Sequence, residues 1–172
     1  MNYHNITKDE MLNGEGLGVV LWVAGCSHRC PFCQNPETWS KDSGIPFDED
    51  AKAEIFEQLE KDYISRLTLS GGDPMFASNV NELLSLVRTV KSKYPKKKIW
   101  IYTGYEYEYI MNDISNNELQ KKRKELLSLC DILVDGKFKQ ELASEQYYWA
   151  GSTNQRVINV QRSLLEQKIV LI

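Results

Sequence analysis

No stretch of this sequence is apolar for long enough to cross a lipid bilayer. The longest apolar run, residues 19–24, is far shorter than the roughly 20 residues that a membrane-spanning helix needs. The first residues, Met1 to Asn5, also lack the basic and then apolar pattern of a secretory signal peptide. We therefore expect a cytoplasmic protein, in which thiols stay reduced.

Charge of either sign is not in large excess. The 172 residues include 21 basic and 24 acidic side chains, so the formal net charge is −3 with neutral histidines. This balance gives no general reason to expect nucleic acid or an anionic membrane as a partner. The chain is 42% hydrophobic and has no internal repeat or low-complexity linker, so one globular domain over residues 1–172 is expected.

Cysteine is scarce but clustered. Of the four cysteines, Cys26, Cys30 and Cys33 fall within eight residues, whereas Cys130 stands alone. In a reducing compartment, clustered cysteines bind metal more often than they form disulfides. Cys130 directly precedes an apolar stretch, where we expect it to be a small buried hydrophobic residue.

Apolar runs alternate with segments of helical periodicity along the chain. Strands are predicted at residues 17–24, 66–70, 98–103, 131–135 and 155–160, with a short terminal strand at 169–172. Helices are predicted at residues 48–62, 79–93 and 118–129. This alternation is typical of βα units and a mainly parallel sheet, with functional loops at the carboxyl ends of the strands. Only eight residues separate Val160 from Ile169, so the last strand is expected to pair antiparallel or to lie at the margin.

The clustered cysteines form a C-x3-C-x2-C array directly after the first predicted strand. Three thiolates on one loop suit an iron–sulfur cluster, and in a 4Fe-4S cluster three protein ligands leave one iron open to a small molecule. The alternatives are a zinc site completed by His28 or Cys130, a disulfide, or buried thiols. Zinc sites usually have a second ligand pair, which this sequence lacks.

Two motifs follow the first two predicted strands. Cys26, Cys30 and Cys33, with Phe32 before the last, are followed about 40 residues later by Ser-Gly-Gly-Asp-Pro at residues 70–74. Taken alone, the glycine pair predicts only a strand-to-helix turn. Together and in this order, the motifs resemble those of the radical S-adenosylmethionine superfamily, in which the glycine pair receives the methionyl amino group of the cofactor.

Further motifs extend along nearly the whole chain. They are Asn-Gly-Glu-Gly at residues 13–16, Gly25-Cys26, Asn35, Thr38-Trp39, Gly44, Val-Asp-Gly-Lys-Phe at 134–138 and Gly-Ser-Thr-Asn-Gln at 151–155. This set resembles the glycyl-radical-enzyme activases, and among them the activating proteins of anaerobic ribonucleoside-triphosphate reductase. Glu15 departs from the proline common in such activases, and Asp73 from the glutamate of many radical enzymes; the second departure is usual in the reductase activases.

The resemblance implies a radical SAM oxidoreductase that generates a glycyl radical on anaerobic ribonucleoside-triphosphate reductase. A 4Fe-4S cluster would cleave S-adenosylmethionine reductively to a 5′-deoxyadenosyl radical, which removes a hydrogen atom from a glycine of the reductase. No amino-acid side chain performs such chemistry, so a cofactor must supply it. An electron donor such as flavodoxin is a second implied partner, for which basic residues near the cluster, including Arg29, offer a docking surface.

By the same resemblance, the cluster ligands are Cys26, Cys30 and Cys33. The residues implied to bind S-adenosylmethionine are Phe32, Cys33, Gln34, Gly71, Gly72 and Asp73, and no catalytic residue is implied beyond the cluster and the cofactor. Gly72 would let the backbone approach the cofactor amino group, and Asp73 would accept a hydrogen bond from it or tune the nearby charge. Thr103 is expected either to line the same site or to form a turn, and His28 to be exposed beside the cluster.

The implied fold class is α/β, an open partial (β/α) barrel of the radical SAM type with about five to six mainly parallel strands. A closed eight-stranded barrel needs about 250 residues, more than this chain has. The open side would admit the glycine-bearing loop of the partner, with residues 137–155 as its rim and Trp149 either in the rim or in the core. The alternative functions are activation of another glycyl-radical enzyme, such as pyruvate formate-lyase, and a non-catalytic zinc or iron–sulfur electron-transfer module.

Overall fold

A mixed β-sheet runs through the computed structural model, which describes residues 1–115 and 117–172. Its strands are β1 (Asn2–Glu10), β2 (Gly18–Val23), β3 (Ile45–Pro46), β4 (Arg66–Gly71), β5 (Lys98–Thr103), β6 (Ile132–Asp135) and β7 (Arg156–Asn159). Within the described residues the sheet has seven strands, in the order β3-β1-β2-β4-β5-β6-β7.

The expected open partial barrel of five to six mainly parallel strands is wrong. The pairs β2–β4, β4–β5 and β5–β6 are parallel, but β1–β2, β1–β3 and β6–β7 are antiparallel. Residues 11–17 between β1 and β2 are too few for the crossover that parallel strands require. The longer connection before β7, residues 136–155, contains a 3-10 turn at Gln140–Leu142 and returns the chain antiparallel to β6.

The helices are α1 (Glu49–Leu59), α2 (Val80–Lys93), α3 (Tyr107–Met111), α4 (Glu118–Leu129) and α5 (Val160–Glu166). The predictions of α1, α2 and α4 are confirmed, whereas α3 and α5 were not predicted. The predicted terminal strand is reduced to one antiparallel bridge between Ile158 and Leu171. Among the described residues, no helix has both the length and the apolar composition to span a membrane.

The two faces of the sheet differ chemically, because successive side chains of a strand point to opposite sides. Leu67 and Leu69 of β4 pack into the main core, to which α1, α2 and α4 contribute. Cys130 lies fully buried in the same core, so its predicted place is confirmed. The opposite face of β4 carries Arg66 and Ser70, the latter in the wall of a large cavity.

The Arg66 side chain is fully buried beneath the loop between β1 and β2. Its Nη2 donates to the carbonyl and to Oε2 of Glu10, each at 2.9 Å, and its Nη1 donates to Thr68 Oγ1 at 2.8 Å. Gly14 and Gly18 pass so close that a Cβ would lie 2.7 Å and 2.3 Å, respectively, from atoms of this side chain. The buried ion pair therefore fixes the loop onto the sheet.

Replacing Glu10 with glutamine is expected to lower the free energy of unfolding by about 3 kcal/mol at neutral pH, because Arg66 loses its buried counter-charge. Burial opposes ionisation of Glu10, but hydrogen bonds from Arg66 and from the backbone N–H of Asn13 and Leu12 lower its pKa overall. A carboxyl group with a lowered folded pKa stabilises the fold above its unfolded pKa, and this contribution is lost as the pH falls through the folded value. The difference between variant and wild type, measured by urea unfolding, should therefore shrink in acid.

The control for this prediction is Lys8→Gln. Lys8 pairs with Glu54 at 2.9 Å, but both side chains are well exposed, so the expected change is within about 0.5 kcal/mol. A loss in Glu10→Gln no larger than that of the control, or one that does not change with pH, would contradict the role assigned to the buried pair.

Candidate metal centre

The loop that follows β2 holds three free cysteines at the carboxyl edge of the parallel strands. They are half-buried and line one cavity: Cys26, Cys30 and Cys33. Between them the backbone reverses at Arg29 and Phe32, whose φ angles of 46° and 58° lie in the left-handed region that few non-glycine residues adopt. The chain thus turns twice within a few residues, and all three cysteines line the same cavity.

The surroundings of two of the thiols favour their protonated form when no metal is bound. Burial raises the pKa of Cys26, and the negative charge of Asp73 raises it further. Burial also raises the pKa of Cys30, against the opposing effects of the Phe138 backbone N–H and the Lys137 charge. Metal ligands are thiolates, so a metal centre that binds here displaces these protons.

Neither residue that the sequence offered as a further zinc ligand joins the three cysteines. His28 places its Nε2 2.8 Å from Asp73 Oδ2, and Cys130 is fully buried in the main core. In residues 1–115 and 117–172, no group of three or more His, Cys, Asp or Glu side chains is arranged to hold a metal ion. This includes Cys26, Cys30 and Cys33, so the three thiols do not form a single-ion site as they stand. Three cysteines that line one cavity without a fourth ligand match the ligand count proposed for an open iron–sulfur cluster better than a closed four-ligand zinc site.

The glycine pair lies directly beside the cysteine loop, as the sequence predicts. Gly72 N donates to Val23 O at 2.7 Å, and Asp73 N donates to Gly25 O at 2.8 Å. Gly71 ends β4 with a φ of 102°, and a Cβ at Gly72 would lie 2.6 Å from Gly25 O. The absence of a side chain at Gly72 therefore lets the two loops pack together, and backbone contact with a cofactor stays a prediction.

The Asp73 carboxylate is buried and surrounded by protein donors. It is 1% exposed, and its oxygens accept from Met75 N at 2.8 Å and from Gly104 N at 3.1 Å. Thr103 Oγ1 lies 2.8 and 2.9 Å from the two oxygens. Asp73 thus joins the ends of β4 and β5, and a direct hydrogen bond from it to the cofactor stays a prediction.

His28 is not exposed beside the cysteines, and that expectation is wrong. Its side chain is 8% exposed and packs edge-on against Tyr105, with the ring centroids 4.5 Å apart. A single histidine in a polar loop has no periodic pattern from which its burial could be predicted.

A cavity of about 840 Å³ connects the two motifs. Its walls include every residue that the sequence assigned to cofactor binding: Phe32, Cys33, Gln34, Gly71, Gly72 and Asp73. Its volume lies within the range of about 300–1,000 Å³ that is usual for small-molecule sites. The structure therefore brings the predicted site residues together around one space.

Three cavity-lining residues have a buried polar atom without a hydrogen-bond partner in the part of the chain that the structure describes: His28 Nε2, Trp39 Nε1 and Tyr102 Oη. His28 Nε2 nevertheless lies 2.8 Å from Asp73 Oδ2, which leaves Trp39 Nε1 and Tyr102 Oη. Burial raises the pKa of Tyr102, so its hydroxyl is a neutral donor at ordinary pH. Buried polar atoms are rarely left unpaired, so both indicate a polar ligand in this cavity. Sequence reasoning missed both roles, although Trp39 belongs to one of the motifs and Tyr102 to a predicted strand.

Residues 137–155 form the rim of the cavity on the side of β6 and β7. Gln155 Oε1 accepts hydrogen bonds from Gly151 N at 3.0 Å and from Ser152 N at 3.1 Å, which closes the end of this segment. Trp149 packs edge-on against Trp100 of β5, with the ring centroids 5.2 Å apart. Trp149 thus belongs both to the rim and to a second, smaller core.

Comparison with known proteins agrees with an iron–sulfur cluster. Residues 12–158 match the family described as a 4Fe-4S single cluster domain. A relative from Enterobacteria phage T4 is 40% identical over 157 residues, which cover 91% of this chain and 93% of the relative. A relative from Haemophilus influenzae is 41% identical over 157 residues, covering 90% and 96% of the two chains.

A third relative, from Escherichia coli K12, is 38% identical over 159 residues, covering 91% of this chain and 97% of its own length. All three carry the same description. Since each is more than 30% identical over nearly the full length of both proteins, the chain belongs to the family of anaerobic ribonucleoside-triphosphate reductase-activating proteins.

Proposed function

We propose that this protein activates anaerobic ribonucleoside-triphosphate reductase by generating a glycyl radical on it. The observation that carries the proposal is the placement of three free thiols and the Gly71–Gly72 turn around one cavity. When bound, a reduced 4Fe-4S cluster supplies one electron to S-adenosylmethionine, which yields methionine and a 5′-deoxyadenosyl radical able to take a hydrogen atom from glycine. The whole chain, residues 1–172, would form a single radical SAM domain acting in the cytoplasm.

The chain's own residues would hold and orient these groups. Cys26, Cys30 and Cys33 are the proposed cluster ligands, and their number leaves one iron open. The proposed cofactor-binding residues are Phe32, Cys33, Gln34, Gly71, Gly72 and Asp73, the last acting through the loops that it joins. The unpaired Tyr102 Oη and Trp39 Nε1 would donate hydrogen bonds to a polar group in the cavity. No side chain is proposed to carry the radical chemistry.

Exposed apolar side chains at the mouth of the cavity support a protein as the substrate. Leu12 in the loop after β1 is 82% exposed, and Phe32 in the cysteine loop is 77% exposed. Both line the cavity, as does the half-buried Phe138 of the rim. A partner that inserts a glycine-bearing loop would cover this apolar mouth.

An acidic electron donor such as flavodoxin is the second proposed partner. Arg29 and Lys137 are exposed, and the Lys137 charge acts on Cys30, so positive charge lies next to the proposed cluster. Electrostatic docking is screened by salt. Reduction of the reconstituted protein by flavodoxin should therefore slow as the ionic strength rises, and a rate independent of salt would exclude such docking.

Anaerobic reconstitution with iron and sulfide is the direct test. After reduction with dithionite, the protein should cleave S-adenosylmethionine, and added reductase should develop the electron paramagnetic resonance doublet of a glycyl radical. Zinc binding without cofactor cleavage would overturn the enzyme function. Cofactor cleavage without the doublet would indicate that the protein substrate is another glycyl-radical enzyme.

Replacing Leu12 with aspartate is expected to weaken activation of the reductase about tenfold, because a charge at the apolar mouth opposes docking. Cofactor cleavage in the absence of reductase should be unchanged. The measurement is the KM for reductase in glycyl-radical formation. The matched control is Leu165→Asp on α5, since Leu165 is 84% exposed but does not line the cavity. Equal effects of the two substitutions would argue against docking at the mouth.

A further inference from the structure

His28 has a largely buried side chain that reaches the ends of two neighbouring strands, β4 and β5. It lies two residues after Cys26 and two before Cys30. Its side chain is only 8% exposed although the flanking Ser27 and Arg29 are exposed. The left-handed backbone at Arg29 turns the chain immediately after it. The imidazole therefore points away from solvent and into the protein.

The first contact of His28 is with the loop that follows β4. Its Nε2 lies 2.8 Å from Asp73 Oδ2, and the side chain of Asp73 is 2% exposed. Among the described residues, Nε2 has no partner that meets the full geometry of a hydrogen bond, so Asp73 is a close polar neighbour of the ring rather than an aligned acceptor. The contact with Asp73 is thus polar and buried, but it does not by itself fix the orientation of the imidazole. Packing against neighbouring residues must do so.

That packing comes from the loop that follows β5. A Cβ at Gly104 would lie 2.4 Å from His28 Cδ2, so the imidazole occupies the space that a side chain would need. The Tyr105 ring meets the imidazole edge-on, and it stacks on Tyr109 with centroids 5.0 Å apart and an interplanar angle of 11°. The Arg123 guanidinium lies 4.6 Å from the Tyr105 centroid. The imidazole therefore packs against a tyrosine ring that is itself fixed by Tyr109 and Arg123.

Through one side chain, these contacts join the proposed metal-binding loop to the loop after β4, which holds proposed cofactor-binding residues, and to the loop after β5. Cys26 and Cys30 stand on either side of His28 in the sequence, while Asp73 and Gly104 belong to the ends of β4 and β5. Displacement of reacting groups by about 1 Å can cost about 100-fold in rate. A side chain that fixes the distance between these loops therefore affects the use of the cofactor without touching it.

We propose that His28 is a positioning residue, which sets the cysteine loop against the loops after β4 and β5 so that the cluster and S-adenosylmethionine meet. This inference rests on the proposed function. His28 is not a ligand: the three cysteines assemble the cluster without it. Loss of the imidazole uncouples cluster assembly from cofactor binding.

The test compares reconstituted His28→Ala, His28→Gln and Gly104→Ala with wild type. His28→Ala should retain iron and sulfide, but bind S-adenosylmethionine about tenfold more weakly, the equivalent of about 1.4 kcal/mol. Its reduced cluster should lose the change in electron paramagnetic resonance spectrum that the cofactor causes in wild type. His28→Gln, which keeps an N–H near Asp73, should recover part of the affinity. Gly104→Ala displaces the ring and should resemble His28→Ala.

The control is His4→Ala, because His4 bonds to Ser43 at 2.8 Å and does not line the cavity. Wild-type affinity and spectra in His28→Ala would overturn the proposal, and so would loss of iron from that variant, which would make His28 a requirement of the cluster itself. Thermal unfolding of each variant shows whether it is folded. If His28→Ala is unfolded, the cofactor affinity and the spectra of Gly104→Ala test the proposal instead. If wild type binds the cofactor but does not cleave it, the proposed function fails while the difference in affinity is still measurable.

Discussion

Replacement of Cys30 with alanine is expected to abolish both the visible absorption of the reconstituted cluster and the release of 5′-deoxyadenosine. The three thiols that line the cavity are the complete protein ligand set proposed here, and the fourth cysteine is buried in the main core. Loss of one ligand leaves two, and no other thiol is within the cavity wall to replace it. Iron content, absorption spectra and product release measured on one preparation check the prediction.

The matched control is Cys130→Ala. The Cys130 Sγ lies 3.2 Å from Leu126 O in the core, and its removal costs about 1–2 kcal/mol of stability by leaving a small cavity. Cluster content and cofactor cleavage should both be retained at a temperature where the variant is folded. A Cys30→Ala protein that still cleaves the cofactor, or a Cys130→Ala protein that is folded but has no cluster, would contradict the assigned ligands.

Replacement of Gly72 with alanine is expected to lower the rate of cofactor cleavage about 100-fold. The added Cβ would lie 2.6 Å from Gly25 O and 3.0 Å from Thr38 O. Both are backbone atoms, so no side-chain rotation relieves the collision and the two loops must separate. Single-turnover formation of 5′-deoxyadenosine, normalised to iron content, measures the effect.

The matched control for Gly72→Ala is Gly136→Ala, which distinguishes the effect of a steric collision from that of backbone strain. Gly136 has a φ of 93°, so alanine there is strained by about 1–2 kcal/mol, but the nearest heavy atoms are 3.8 Å from the added Cβ. This variant should be less stable yet retain most of the cleavage rate. If Gly72→Ala cleaves the cofactor as fast as Gly136→Ala, close packing of the two loops is not needed for the reaction.

The meeting of the predicted site residues around one cavity was predictable because the motifs are local in the sequence. The spacing of Cys26, Cys30 and Cys33 places three donors on one loop, and the glycine pair ends a recognisable apolar strand. The parallel pairing of β2 with β4 then brings both loops to the same edge of the sheet. Spacing and periodicity carry this information directly.

The arrangement of the sheet was less predictable. β1 is mostly polar, and of its side chains only Tyr3 and Ile6 are buried among the residues described, so it lacks the alternation that marks a half-buried strand. Its antiparallel pairing with β2 depends on long-range contacts. The antiparallel pairing of β7 with β6 likewise depends on long-range contacts, those made by the rim, residues 137–155.

The supporting side chains around the site were also hidden from sequence reasoning. Asp73 was assigned to the cofactor because the motif places it beside the glycines, but in the fold its oxygens contact Met75 N, Thr103 and Gly104 N. Such partners lie up to 31 residues away along the chain. Hydrogen bonds of this kind emerge only once the strands are assembled.

Both outer edges of the sheet are poorly suited to accept a strand from another molecule. At one edge β3 is only two residues long and contains Pro46, which has no backbone N–H to donate. At the other, the carboxyl-terminal residues cover β7, with Asn159 N donating to Val170 O at 2.8 Å and Ile172 N to Val157 O at 3.0 Å. Edge-to-edge aggregation is thereby discouraged, so the protein can expose an apolar cavity mouth without offering its backbone to further copies of itself.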